Sequence, residues 1–182
     1  GQATHEGEVF SATMDLVNAS FGSCVLLVDD SLQRHTMALD SPNDADFFYD
    51  IAIKEGERWL ERNKKYYEKL TIPTTILHWD QWLKHPNFAN QQSKVKNLIE
   101  TDPTYKAAFD DSIEKFLKKY CERLPKQDDF DIERAWKLSL DFVIEECTAL
   151  GLWPELGCHF EVYPNKHNHA IEDTRRRFVL AY

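Results

Sequence analysis

The 182-residue chain predicts a single α/β domain over residues 1–182, with a mainly parallel sheet and helices on both faces. Three observations carry this expectation. "SCVLLVDD" (23–30) is a short apolar, β-branched run that ends in acids, as a buried parallel strand does at its carboxyl edge. "IPTTILHW" (72–79) repeats that character after a long helical stretch. Strands alternating with helices of this length imply crossover connections and a parallel sheet.

Taken in order, residues 5–19 read as a helix leading into the first visible strand. "SPND" (41–44) is a capping turn, and residues 45–70 form a long helix. Pro73 stands near the start of the second strand, where a missing N–H is tolerated. Residues 80–99 are expected to be helical. "TDPTYKAAFDDSIEKFLKKYCERL" opens with a cap and a proline and continues as a helix to about 124. "PKQDDFD" breaks that helix and supplies acids to the first turn of the next, which runs to about 150. "GCHFEVYP" (157–164) is expected as a third strand, 166–174 as a short helix and "RFVLAY" as a final strand. The opening "GQATHEG" reads as a loop between a strand and a helix, so the expectation is that the visible sequence starts at a strand's end.

With 42% apolar and 13% aromatic residues the chain can bury a real core. Its net charge of −9 supplies no global field for nucleic acid or anionic lipid. A polyanion partner therefore requires a local basic patch. No apolar run approaches a membrane span. Cys24, Cys121, Cys147 and Cys158 form no CxxC, so a reduced, cytoplasmic protein is the default expectation. No GxGxxG, Walker loop or GxSxG elbow is present. His167 and His169 lack a partner spacing for a metal, so no metal site is expected.

In open parallel sheets ligands sit beyond the carboxyl ends of the strands. This directs attention to the first residues, to Asp29–His35, to His78–Trp82 and to Tyr163–His169. Lys54, Arg58, Arg62, Lys65 and Lys69 fall within an arc of roughly 80° on the long helix, with Glu57, Glu61 and Glu68 outside it. The stripe fits either a phosphate track or a solvated face. Lys115, Lys118, Lys119, Arg123 and Lys126 read as a solvated face. On the helix at 130–150, Ile132, Trp136, Leu140, Val143, Cys147 and Leu150 form the stripe expected to meet the core. Phe142 and Glu146 lie one turn apart at its border, while Glu145 is expected to point towards water. An acid at a core border must pair, bind a cation or titrate high. Tyr163 stands at the end of the expected third strand, where its hydroxyl either meets a substrate or is an ordinary strand tyrosine before a turn.

The segments "GQATHEGEVFSA", "VDDSLQRH", "ILHWDQWLKHP", "DPTYKAAFD", "DFVIEECTAL" and "HFEVYPN" together resemble the tRNA-dependent cyclodipeptide synthases, across nearly the whole chain and in the family's order. The Tyr163–Pro164 pair resembles the signature of the XYP subfamily, with the X position on Gln2. The resemblance implies a Rossmann-like domain similar to the catalytic core of tyrosyl- and tryptophanyl-tRNA synthetases. It implies an aminoacyltransferase of nonribosomal peptide biosynthesis that takes two aminoacyl-tRNAs. Aminoacyl-enzyme and dipeptidyl-enzyme intermediates on a serine then lead to release of a diketopiperazine. Activation resides in the tRNA ester, so no cofactor or metal is implied. The absence of HxGH and KMSKS agrees and argues against a true synthetase.

Carried over residue by residue, the family's amine-binding glutamate falls on Glu146 and its strand-end tyrosine on Tyr163. Its tRNA-contacting helix falls on the Lys54–Lys69 stripe. Phe142 stands where the family usually has a tyrosine, which removes a hydroxyl hydrogen bond to the amine worth about 1 kcal/mol. The family's nucleophilic serine is expected two residues before the glycine that aligns with Gly1. Gln2, Phe142 and Leu150 are the expected substrate-binding residues, with Trp79, Trp82 and Trp153 as further candidate pocket walls. A monomer is the default expectation. The runner-up is a non-catalytic relative that binds aminoacyl-tRNA or another partner.

Overall fold

The computed structural model describes residues 5–123, 130–158 and 160–179. Helix α1 (Gly7–Ser20) leads into strand β1 (Cys24–Val28). A 3-10 turn over Ser31–Gln33 and the one-turn helix α2 (Arg34–Met37) follow. The long helix α3 (Tyr49–Tyr67) returns the chain to strand β2 (Thr74–His78), which pairs with β1 in parallel, Cys24 opposite Thr74 and Val28 opposite His78. The rest is helical: α4 (Asp80–Leu83), α5 (Phe88–Thr101), α6 (Pro103–Cys121), α7 (Ile132–Leu150) and α8 (His169–Thr174), with a π-turn over Arg175–Val179. No helix of the described residues is long and apolar enough to cross a membrane.

The two strands alternate their side chains between two cores. Leu26 and Ile76 face Phe10 and Met14 of α1 and Trp59, Leu60 and Tyr66 of α3. Leu27 and Leu77 face Trp79, Trp82, Phe88, Ala149 and Leu152. Helices thus cover both faces, as the alternation of elements implies. A third and larger core holds α5, α6, α7 and α8 together around Val95, Tyr105, Phe109, Ile113, Val143 and Cys147.

Helix starts follow the expected chemistry. Asp102 accepts bonds from the N–H groups of Thr104 and Tyr105, with Pro103 at the first helical position. Asp131 caps α7 through the Arg134 N–H at 2.9 Å, and Asn168 caps α8 through the Ile171 N–H at 2.9 Å. Gly56 lets α3 approach the end of β1, since a Cβ there would lie 2.4 Å from the Asp30 Cβ.

Several expectations are corrected. Among the described residues the sheet has two strands, and most of the chain is helical. The helix expected over 80–99 is two helices, separated at 84–87, where Pro86 cannot continue the ladder. The segment at 157–164 shows no ladder among the described residues. It leaves Gly157 with a φ of 73° and holds Phe160 at 79% exposure, so alternation in sequence was not matched by a pairing strand. Of the final strand expected over 177–182, residues 177–179 are helical instead, within a turn over 175–179 whose Arg175, Arg176 and Arg177 reach back three and four residues to Glu172 and Asp173, and residues 180–182 lie outside the described residues. The α7 stripe meets the core only in part: Ile132 is 51% exposed, and the buried face instead includes Ala135, Ser139 and Ile144.

Candidate active site

The acids that end β1 separate into two roles. Asp30 is buried and accepts bonds from the Ser31 N–H at 2.7 Å and the Trp79 N–H at 3.1 Å, with His78 Nδ1 at 2.6 Å. Asp29 stays at the surface, where Gln33 donates to its Oδ2 at 2.9 Å. The protein around Asp29 desolvates its carboxyl and raises its pKa, although the side chain still reaches solvent.

Two neighbouring glutamates of α7 also take opposite roles. Glu145 does not point to water. It is 5% exposed and lies in a cage of donors. Arg34 donates to both carboxylate oxygens at 2.8 and 2.5 Å, the Trp79 indole N–H donates at 2.8 Å, and His35 Nε2 lies 3.3 Å away. Burial alone would raise this carboxyl, but the His35 and Arg34 contacts hold it below its ordinary value. The helical arc misplaced Glu145 because it sits on the flank that meets Arg34 and Trp79, elements far away in sequence.

Glu146, by contrast, has no cation beside it among the groups that set its pKa. Desolvation first, then the charges of Asp29 and Glu161, push it up to about 8. Desolvation and the same three acids raise Tyr163 as well. Tyr163 interacts with Asn165, its ring stacks on His167 with centroids 4.9 Å apart and planes 11° apart, and the His5 ring lies 5.5 Å away. Glu161 in turn meets His167 Nε2 at 3.1 Å and Arg175 Nε at 3.5 Å, yet its burial still raises its pKa.

Glu146 and Tyr163, chosen from sequence, therefore share one site with Asp29, Glu161, His167 and His5. Glu161 was overlooked, although its two-residue spacing from Tyr163 in an extended segment is a usable signal. The carboxyls of Glu146, Asp29 and Glu161 resist ionisation first because the surrounding protein desolvates them, and for Glu146 also because Asp29 and Glu161 lie near it. A positively charged ligand favours the ionised form of these carboxyls. His167 and His169 do not converge, since His169 pairs with Asp111 at 2.6 Å. Among the described residues no three His, Cys, Asp or Glu side chains are grouped to hold a metal ion.

The remaining expected residues fall in three places. Phe142 bridges two cores, its ring 6.5 Å from His35, and lines an apolar cavity of about 100 Å³ with Ile113, Phe116, Leu138 and Asn168. Leu150 is a core side chain at 2% exposure and does not line that cavity. Trp79 and Trp82, at 2% and 3% exposure, are core residues too. Gln2 lies outside the described residues.

The basic stripe is exposed along its length. Arg58 pairs with Glu55, Arg62 pairs with Glu6 at 3.2 Å, and Lys65 and Lys69 lie over the Tyr66 ring at 4.9 and 5.9 Å. Lys69 stands two residues beyond the end of α3.

The chain aligns over 98% of its length with 79% of the structure of a CDPS from Fluoribacter dumoffii, at 42% identity and a TM-score of 0.92. It belongs to the cyclodipeptide synthases. The family consists of tRNA-dependent aminoacyltransferases, so the chain is an enzyme of that class. The cyclodipeptide synthase from Candidatus Glomeribacter gigasporarum bound to Phe-tRNAPhe shares the fold: TM-score 0.78, 16% identity, 99% of this chain and 78% of that one. A cyclo(L-leucyl-L-phenylalanyl) synthase does so at TM-score 0.69 and 12% identity, over 97% of this chain and 79% of that one. No family model matches the sequence, and no curated protein matches it. The synthase thus brings Glu146 and Tyr163 near each other and near the acids Asp29 and Glu161.

Proposed function

We propose that this synthase is of the XYP subfamily, takes two aminoacyl-tRNAs and joins their aminoacyl groups into a diketopiperazine. The observation that carries the reading is the convergence of Glu146 and Tyr163, beside Asp29 and Glu161. An aminoacyl ester presents an α-ammonium, and Glu146 is its natural partner, by a charge-assisted hydrogen bond. With a pKa near 8 in the free protein, Glu146 is also matched to the amine itself. Arrival of the ammonium favours loss of the carboxyl proton to solvent, and the resulting carboxylate can take the ammonium proton and leave the nitrogen lone pair free to attack.

The chemistry then runs in three acyl transfers. A serine hydroxyl attacks the first aminoacyl ester: the serine ester forms, the ester to tRNA breaks, and the tRNA hydroxyl leaves with a proton. The amine of that aminoacyl group attacks the second ester and forms the first peptide bond, releasing the second tRNA. The free amine of the dipeptide attacks the serine ester, closing the ring and regenerating the hydroxyl. Tyr163, held by His167 and Asn165, positions its hydroxyl to relay protons between amine and leaving group. The exposed Lys54–Lys69 stripe supplies phosphate contacts for tRNA. The β1–β2 pair is read as the centre of a larger Rossmann-like parallel sheet.

The test is expression of the full-length protein in bacteria and mass spectrometry of the medium. Diketopiperazines missing from an empty-vector control are expected and would name the amino acids joined. Glu146→Gln and Tyr163→Phe are each expected to lower product by about 100-fold, the usual scale of a lost acid–base group. Wild-type product from both variants would refute the role assignment. Soluble wild-type protein with no product would return the non-catalytic reading.

A further inference from the structure

We propose that Glu145 is a positioning residue for the reaction, whose buried clamp on Arg34 and Trp79 sets the rotation of α7 that presents Glu146 to the site. The proposal rests on the reading of Glu146 as the amine holder. Arg34, Trp79 and His35 surround the Glu145 carboxylate. Arg34 grips both oxygens of Glu145 and donates a further bond to the Ser31 carbonyl at 2.8 Å, which ties it to the turn after β1. Trp79 donates its indole N–H to Glu145 and its backbone N–H to Asp30. Asp30 itself holds His78, the last residue of β2. One buried polar lattice therefore joins α7 to the carboxyl ends of both strands, where Asp29 emerges.

Neighbouring residues of a helix lie about 100° apart, so fixing the direction of Glu145 fixes that of Glu146. The end of a glutamate lies roughly 6–7 Å from the helix axis, so a 10° turn of α7 would move the Glu146 carboxyl by about 1 Å. A displacement of that size is worth up to about 100-fold in rate when a reacting group is misplaced. The lattice is also more than an apolar core needs. Well-packed apolar residues often replace a buried ion pair without loss of stability, so its geometry is the property to test.

The experiment is a cycle of Glu145→Gln, Glu146→Gln and the double variant, assayed on purified full-length protein with preformed aminoacyl-tRNA, with the folded fraction measured for each. Glu145→Gln is expected to lower kcat by about 10- to 100-fold while leaving KM within about threefold, because the tRNA contacts lie elsewhere. In the Glu146→Gln background it is expected to add less than about threefold, because a misplaced group that is already absent has nothing more to lose. Losses that multiply would overturn the proposal and leave the functional reading standing. Wild-type activity of Glu146→Gln would overturn both. Should Glu145→Gln fail to fold, Trp79→Phe removes one donor, keeps a ring in place and goes through the same cycle with the same criteria.

Discussion

Glu146→Gln should stabilise the protein at pH 8.5 and do little at pH 5. In the native state the carboxyl is pushed from its ordinary 4.5 up to about 8, by desolvation first and by Asp29 and Glu161 next. Between those values the unfolded chain has released a proton that the native protein still holds. Stability contributed by the protonated group is therefore complete below about pH 4.5, falls as the pH rises towards 8, and is gone above it. Each pKa unit is worth about 1.4 kcal/mol, so the full displacement corresponds to about 5 kcal/mol. The side chain keeps some contact with solvent, and screening reduces the expected effect to about 2 kcal/mol. Glutamine bears no charge at either pH and removes this loss. For a domain of this size the variant should melt about 4–8 °C above wild type at pH 8.5, with a difference near zero at pH 5. Thermal unfolding followed by circular dichroism at the two pH values measures it. An equal change at both would mean that Glu146 ionises normally, and the upward push on its carboxyl by desolvation and by Asp29 and Glu161 would be refuted.

The neighbouring residue gives the opposite sign. Glu145 is held below its ordinary pKa, so its contribution is present above about pH 4.5 and lost as the pH falls further. Glu145→Gln should destabilise by about 3–5 kcal/mol at pH 7 by leaving Arg34 buried without its partner, and the deficit should shrink in denaturant titrations at pH 3.5. Arg58→Glu with Arg62→Glu should weaken tRNA binding and flatten the plot of log affinity against log salt by about 1.5, and an unchanged slope would make the stripe a solvated face. Gly56→Ala should destabilise by about 1–3 kcal/mol in chemical denaturation, because the new methyl meets the Asp30 Cβ. Gly151→Ala meets the Nε2, Cδ and Cγ of buried Gln91 and should destabilise by about 1–3 kcal/mol.

Local signals were sufficient for much of this. Asp102–Pro103 and Asp131 announce α6 and α7 because a cap needs only the next three residues. The apolar runs at 24–28 and 74–78 announce β1 and β2, and the arc of five cations on α3 depends on helical spacing alone. Glu146 was legible as an acid at a helix border, and Tyr163 from its place at the end of "FEVY".

What the sequence by itself determined, then, is the long helices α3, α6 and α7, the caps at Asp102 and Asp131, and the two strands, and it nominated Glu146, Tyr163 and the stripe for testing. Only the tertiary structure decided which of two adjacent glutamates is buried. Glu145 is satisfied by Arg34, 111 residues away, and by Trp79, 66 residues away, and helical spacing holds no information about partners at that distance. The same reason explains the segment at 157–164. Alternating side chains are a local property, but a strand needs a hydrogen-bonding partner, and the fold alone supplies one. It also explains why Asp29 and Glu161 joined the site: the pKa of each is raised first by desolvation, which only the folded chain imposes.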